Sequence, residues 1–318
     1  MSTAATARIV LQESIHADGE RLLRDSGADV TVLDGPGDTR MPAALRDADA
    51  LIVRSTRVDA ALLGIAPRLR VIGRHGAGLD NIDLDEARRR GIAVVNTPHS
   101  NTESVAEYVV AAAFSLFRRF DDAREALAGG ALQQPSSLPG QVQRAGLLGR
   151  ELQGSTLGLV GAGAIGRAVA RRVQALGVTV IAYDPFADAA VLADAQITAL
   201  ESLDDVISRS DILSLHLPGG DATRGIIDAR RIGLLPEGAV LINAARGGLV
   251  DHDALIAAVR SGRLLGAAVD VYAQEPPAAD DLILHEPRII ATPHLAAMTD
   301  EAVQRMAVDV ARSVLDSL

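Results

Sequence analysis

The 318-residue sequence contains no cysteine. Disulfides, thiolate catalysis and Cys-ligated zinc are therefore excluded, and a reducing, cytoplasmic setting is expected. Lysine is also absent, because all 31 basic residues are arginine. Schiff-base enzymes, pyridoxal-phosphate enzymes and Walker-A phosphate loops each need a lysine, so those classes fall away. No apolar run could span a bilayer; the longest, Val105–Phe117, is interrupted by Glu107. The opening residues MSTAATARIV lack a basic segment followed by an apolar core, so no secretory signal and no membrane partner are expected. A net charge of −10 argues against nucleic acid, which needs a basic surface.

What is present has the balance of a globular protein, with 48% hydrophobic and 23% charged residues. The length predicts two domains. Short apolar strands alternate with amphipathic helices. The segments at Arg8–Gln12, Val30–Leu33, Ala50–Arg54, Arg70–Gly73 and Ala93–Asn96 read as strands, with a helix at Gly19–Ser26. The spacing then predicts one long helix over Thr102–Leu127 and an irregular, Gly/Gln/Pro/Ser-rich connector over residues 129–149. A second series follows, with strands at Leu157–Val160, Thr179–Tyr183, Ile212–His216, Val240–Asn243, Ala267–Val269 and Ile289–Ala291. Their continuous apolar character suits strands covered on both faces. The expected class is α/β, with two doubly wound Rossmann-like domains.

One segment carries a chemical signature. Gly161, Gly163 and Gly166, with Ala164 and Ile165 between them, form GAGAIG directly after the strand TLGLV and at the start of a helix. Glycines there permit a tight turn and close approach of a diphosphate, and the helix N-terminus offers unpaired N–H groups. The next strand, TVIAYD, ends at Asp184, where a carboxylate can accept both adenosine ribose hydroxyls. A glycine-rich turn without a ligand does not explain that acid. The unit is read as a dinucleotide site selecting NAD over NADP, with Arg167, Arg171 and Arg172 of the intervening helix facing solvent.

Ten segments, among them VRSTRVD (53–59), VIGRHGAGLDNID (71–83), SVAEYVV (104–110), LINAARGGLVD (241–251), GAAVDVYAQEPP (266–277) and ATPHLAAMT (291–299), span nearly the whole chain. Together the sequence resembles the D-2-hydroxyacid dehydrogenase family. The resemblance implies a small-molecule 2-hydroxy or 2-keto acid substrate and NAD as cofactor. It implies a substrate domain of residues 1–100 and 293–318, interrupted by an NAD domain of residues 101–292, with a cleft closed by hinge motion. The long helix from Thr102 carries apolar surface that supports a homodimer in relatives.

By resemblance, Arg246, Glu275 and His294 match the catalytic set. Arg246 would fork two donors to the substrate carboxylate and keto oxygen. His294 would be the acid/base and Glu275 its partner. Taken singly, each is an ordinary loop or packing residue. Arg246 and His294, however, each follow an apolar strand, where ligands of such sheets bind. The resemblance adds His216, Pro218, Ala244, Ala245, Arg246, Asp270, His294, Ala296 and Ala297 on the cofactor side. On the substrate side it adds Arg54, Ser55, His75, Ala77, Gly78 and Asn101. His16, His99, His252 and His285 are read as structural or exposed. No metal site is expected.

Departures from the family pattern bear on the substrate. The 130–145 connector is long and lacks the family's tryptophan, Ser100 stands where glycine is frequent, and Ala297 lies in a stretch that often carries glycine. The alternative activity is a 3-phosphoglycerate dehydrogenase lacking a regulatory domain, with Arg54 and Arg74 meeting an anionic tail. From another class, the chain resembles C-terminal-binding corepressors, which use this fold as an NAD sensor that binds peptides and typically carry a long disordered tail that is not expected here.

Overall fold

The computed structural model describes residues 6–318. They form two units, residues up to Thr102 together with Ala297–Leu318, and Glu103–Ala296. The divisions fall two and four residues beyond the expected 100/101 and 292/293. His294 thus lies in the second unit, and Ala297 opens the C-terminal part of the first.

The first unit holds five parallel strands, β1 (Arg8–Leu11), β2 (Asp29–Val32), β3 (Ala50–Val53), β4 (Val71–Arg74) and β5 (Ala93–Asn96), in the order β2-β1-β3-β4-β5. Ala50–Val53 is buried at every position, as a central strand covered by helices on both faces must be. On one face Ile9, Leu11 and Ile52 pack with Ala307, Val310 and Val314 of the C-terminal helix Asp300–Asp316. On the other, Val10, Leu51, Val53 and Ile72 pack with Leu45 and Leu63. Gly19 lets the helix Ala17–Asp25 press on the C-terminal helix, since a Cβ there would lie 2.6 Å from the Ala307 carbonyl oxygen.

The second unit holds β6 (Thr156–Val160), β7 (Thr179–Tyr183), β8 (Thr198–Ala199), β9 (Ile212–Leu215), β10 (Ala239–Asn243), β11 (Leu264–Val269) and β12 (Ile289–Ala291), ordered β12-β11-β10-β9-β6-β7-β8. All pairs are parallel. The strand order reverses at β1/β3 in the first sheet and β6/β9 in the second, so both are doubly wound. The two-residue strand β8 is too short to read from periodicity.

Two expectations are corrected. The segment Thr102–Leu127 is two helices, Thr102–Arg118 and Phe120–Ala128, separated by Arg119 in the left-handed region at φ 53°. The Phe117 carbonyl is instead taken by the Arg150 N–H at 2.7 Å, a partner 33 residues away that periodicity cannot reveal. The supposed irregular connector contains a helix, Leu138–Arg144, with a proline in its first turn. Its buried Gln141 accepts from the Gln134 N–H at 2.9 Å and donates to the Gln134 and Ser136 carbonyls. No helix among the described residues is long and apolar enough to cross a membrane.

Candidate active site

In the second unit three neighbouring strands end in loops that carry chemistry. After β10, Asn243 is fully buried, donates Nδ2–H to the Arg246 carbonyl at 2.9 Å and accepts from the Ala245 N–H at 3.1 Å. That clasp fixes the Ala244–Arg246 turn. Gly247 brings the turn close to the loop after β11, because a Cβ there would lie 2.0 Å from the Tyr272 carbonyl carbon. After β11, the Glu275 carboxylate reaches back to the Tyr272 N–H at 3.1 Å.

After β12, His294 adopts φ 54°, an uncommon conformation for a side-chain-bearing residue. Its N–H donates to the Asp270 carbonyl at 2.8 Å. The buried Asp270 carboxylate accepts from the Thr292 hydroxyl (2.6 Å) and the Leu295 and Ala296 N–H groups (2.8 Å each). Tyr108 pairs with Thr292 at 2.7 Å, and Ser104 donates to the Ala296 carbonyl at 2.7 Å. Asp270, assigned to the cofactor by resemblance, therefore anchors the histidine loop. Thr292, Tyr108 and Ser104 carried no sequence signal for this role, since Ser104 and Ala296 are 192 positions apart.

The result is one contact: His294 Nδ1 lies 2.8 Å from Glu275 Oε2. Partial burial of Glu275 raises its pKa, but hydrogen bonds from His294 and the Tyr272 N–H, with the charges of His294 and Arg246, outweigh it and hold the carboxyl below its ordinary value. An ionised carboxylate only accepts, so Nδ1 carries the proton and Nε2 is left to exchange one. His294 is half exposed.

The strand–glycine–helix unit also takes the expected shape. Gly161 has φ 93°, and a Cβ on it would lie 2.7 Å from the His216 carbonyl oxygen at the β6/β9 reversal. A Cβ on Gly166 would meet the Gly161 oxygen at 2.7 Å, whereas nothing lies within 4 Å of one on Gly163. The helix Ala164–Gln174 begins at Gly163 with no side-chain cap. This open, uncapped cradle fits a diphosphate. Asp184 accepts from the Ala162 N–H at 2.8 Å and the Phe186 N–H at 3.0 Å, which ties the acid to the glycine turn while leaving lone pairs for ribose hydroxyls.

Arg167 departs from expectation, donating to the Ala162 carbonyl at 2.8 Å rather than facing solvent. Arg171 and Arg172 pair with Glu103. His216 pairs with Ser214 at 3.0 Å, and burial pushes its pKa down to about 4. Pro218 is exposed, and its carbonyl accepts from Thr223 at 2.9 Å.

In the first unit Arg54 and Ser55 follow β3, and His75, Ala77 and Gly78 follow β4. His75 is buried, Ser55 is exposed, and the Ala77 carbonyl accepts from Asn96 at 2.6 Å. Asn101 Oδ1 is buried without a hydrogen-bond partner. Of the remaining histidines, His16 Nδ1 caps its helix by accepting from the Asp18 N–H, and His285 Nε2 lies 2.8 Å from the Ala279 carbonyl oxygen. No cluster of potential metal ligands occurs among the described residues.

Residues 110–296 match the D-isomer specific 2-hydroxyacid dehydrogenase NAD-binding domain. A D-3-phosphoglycerate dehydrogenase of Mycobacterium leprae is 43% identical over 288 residues, covering 90% of this chain and 52% of that one. The chain thus spans about half the length of such relatives. An (S)-sulfolactate dehydrogenase of Chromohalobacter salexigens is 45% identical over 258 residues, covering 81% of this chain and 80% of that one. Among solved structures, the TT0316 protein of Thermus thermophilus superposes with a TM-score of 0.86 at 31% identity, covering 98% and 96% of the two chains. A D-lactate dehydrogenase of Aquifex aeolicus, solved with NAD and lactic acid, gives 0.83 at 29% identity over 97% and 94%. With its NAD-binding domain matched over more than half its length, the chain belongs to the D-isomer specific 2-hydroxyacid dehydrogenase family.

Proposed function

We propose that this protein interconverts a 2-hydroxy acid and the corresponding 2-keto acid. The observation that carries the reading is the His294–Glu275 contact of 2.8 Å, at the carboxyl ends of strands in a sheet with a diphosphate cradle. NAD, when bound, supplies the nicotinamide that accepts or returns the C2 hydride. Gly161, Gly163, Gly166 and the first turn of the helix Ala164–Gln174 hold its diphosphate, and Asp184 its adenosine ribose. In oxidation His294 Nε2 takes the C2 hydroxyl proton, and Glu275 stabilises the imidazolium so formed. In reduction the same nitrogen returns that proton. Arg246 binds the carboxylate and orients the C2 oxygen through its planar fork of donors. The N–H groups around Ala77 and Gly78 are the reading for the substrate carboxylate.

The half-exposed or exposed Phe120, Leu127, Leu138 and Leu148 support a homodimer, which light scattering on the purified protein tests. The activity is tested with a panel of 2-keto acids, following NADH consumption. Turnover of at least one by the wild-type protein, and a loss of kcat/KM well beyond threefold in Arg246→Lys, is the expected result. Failure on the whole panel would remove the dehydrogenase reading. The Arg246→Lys loss follows because charge is kept while bidentate geometry is lost, a hydrogen bond to a charged group being worth ~1.5–3 kcal/mol.

A further inference from the structure

Tyr272, in the loop after β11, touches all three loops that bear Arg246, Glu275 and His294, each through a different part of itself. Its N–H donates to Glu275 Oε1 at 3.1 Å. Its main chain lies against Gly247, next to Arg246, where a Cβ would come within 2.0 Å of the Tyr272 carbonyl carbon. Its hydroxyl donates to the Thr292 carbonyl at 3.0 Å, two residues before His294. One hydroxyl proton serves one acceptor well, and Thr292 is nearer than the Val269 carbonyl at 3.4 Å. The ring is held in place. Tyr272 is buried, and the His252 ring meets it nearly perpendicularly, 6.4 Å away between centroids.

The carbonyl that receives this hydroxyl also serves the histidine. Thr292 accepts the His294 N–H at 3.0 Å, closing the short turn in which His294 takes φ 54°. A three-residue turn of this kind orients its own backbone but does not fix its distance from another loop. The Tyr272 hydroxyl supplies that tie. Its backbone N–H holds the Glu275 carboxylate and its phenol holds the histidine turn, with only two side-chain torsions between them. Burial, then the charges of Asp270, Glu275 and Asp281, push the Tyr272 pKa above its ordinary value of 10. The hydroxyl therefore stays protonated and remains a donor.

We infer that Tyr272 is a positioning residue whose hydroxyl, through the Thr292 carbonyl, keeps His294 Nδ1 in hydrogen-bond contact with Glu275. Its consequence for catalysis rests on the dehydrogenase reading; the coupling itself belongs to the protein without any ligand. The contact decides which imidazole nitrogen carries the proton, since each nitrogen's state is set by the bond the other makes. With Nδ1–H held on the carboxylate, Nε2 is the nitrogen left to exchange a proton with substrate.

The test compares wild type with Tyr272→Phe, which keeps the ring and removes only the hydroxyl. Nitrogen-15 NMR of histidine-labelled protein at alkaline pH, without NADH or substrate, reads the His294 tautomer, the resonances being identified by their loss in His294→Gln. Wild type should show Nδ1–H, and the variant a shift toward Nε2–H. With NADH and a 2-keto acid, the variant should lose about tenfold in kcat while KM stays within about twofold, the scale of one lost hydrogen bond. In a Glu275→Gln background the same substitution should cost less than about threefold, because groups that act through one contact are not additive. A wild-type tautomer in the variant, or an equal loss of kcat in both backgrounds, would overturn the inference. So would a melting temperature lowered by more than about ten degrees, which would make the hydroxyl a prop of the whole fold. Should wild type turn over no keto acid, the dehydrogenase reading fails and the tautomer decides alone. A shift in Tyr272→Phe then upholds the coupling, and an unshifted spectrum sinks it.

Discussion

Asp270 Oδ2 accepts the Ala296 N–H at 2.8 Å, and Oδ1 takes Leu295 at the same distance. One fully buried carboxylate thus fixes the chain on the far side of His294, whose own N–H is bound to the Asp270 carbonyl. The left-handed backbone of His294 is over-determined by these bonds, and the imidazole is aimed by main-chain geometry before Glu275 touches it.

Asp270→Asn should therefore disturb both fold and activity. Its amide nitrogen would face an N–H donor, leaving a buried donor unsatisfied at about 1–3 kcal/mol. Thermal unfolding should show the loss, and kcat should fall more than the affinity for NADH. An unchanged melting temperature would show that the carboxylate does not hold this loop.

His294→Ala should lower kcat by at least ~10²–10⁴, the range for a removed general acid or base, while NADH binding, read by fluorescence, is largely retained. Wild-type kcat in the variant would take His294 out of the mechanism.

Glu275 should show itself in pH dependence. Its folded pKa is depressed below the ordinary 4.5, so its stabilising contribution is complete above about that pH and disappears as the pH falls through the lowered value. The melting-temperature difference between wild type and Glu275→Gln should be constant at neutral pH and close only under strongly acid conditions. A gap that closes above the ordinary glutamate range would contradict the lowered pKa.

The buried histidines predict a second window. His75 and His216 have folded pKa values of about 4 against 6.5 for the free side chain. The fold favours their neutral forms, so stability is full above pH 6.5 and declines as the pH falls toward 4, by on the order of 3 kcal/mol for the closely buried His75. His75→Gln should flatten denaturation midpoints across that window. Equal slopes in the variant and wild type would show that His75 titrates normally.

NADH should be preferred over NADPH by roughly a hundredfold or more in kcat/KM, because a 2′-phosphate would meet the Asp184 carboxylate and forfeit its hydroxyl hydrogen bonds. Pro185, Phe186 and Ala187 offer no cation in compensation, and Arg167 is bound to the Ala162 carbonyl. Comparable values for both cofactors would mean that Asp184 does not face the ribose.

The sequence by itself determined the α/β class, the two-sheet organisation and the glycine turn of GAGAIG. Apolar strands such as Ala50–Val53 and Val240–Asn243 must be buried on both faces, and the glycine spacing directly after TLGLV marks a tight turn; both patterns are readable along the chain, although the His216 carbonyl that excludes a Cβ at Gly161 lies 55 positions away. The motifs also pointed to Arg246, Glu275 and His294. Only the tertiary structure decided that adjacent β10, β11 and β12 bring those three loops side by side, and that Asp270, Thr292, Tyr108 and Ser104 aim the histidine. It alone broke the Thr102–Leu127 segment at Arg119, where the returning Arg150 N–H claims the Phe117 carbonyl. Hydrogen bonds and sheet register join residues tens to hundreds of positions apart, and periodicity along the chain carries no record of which distant donor meets which acceptor.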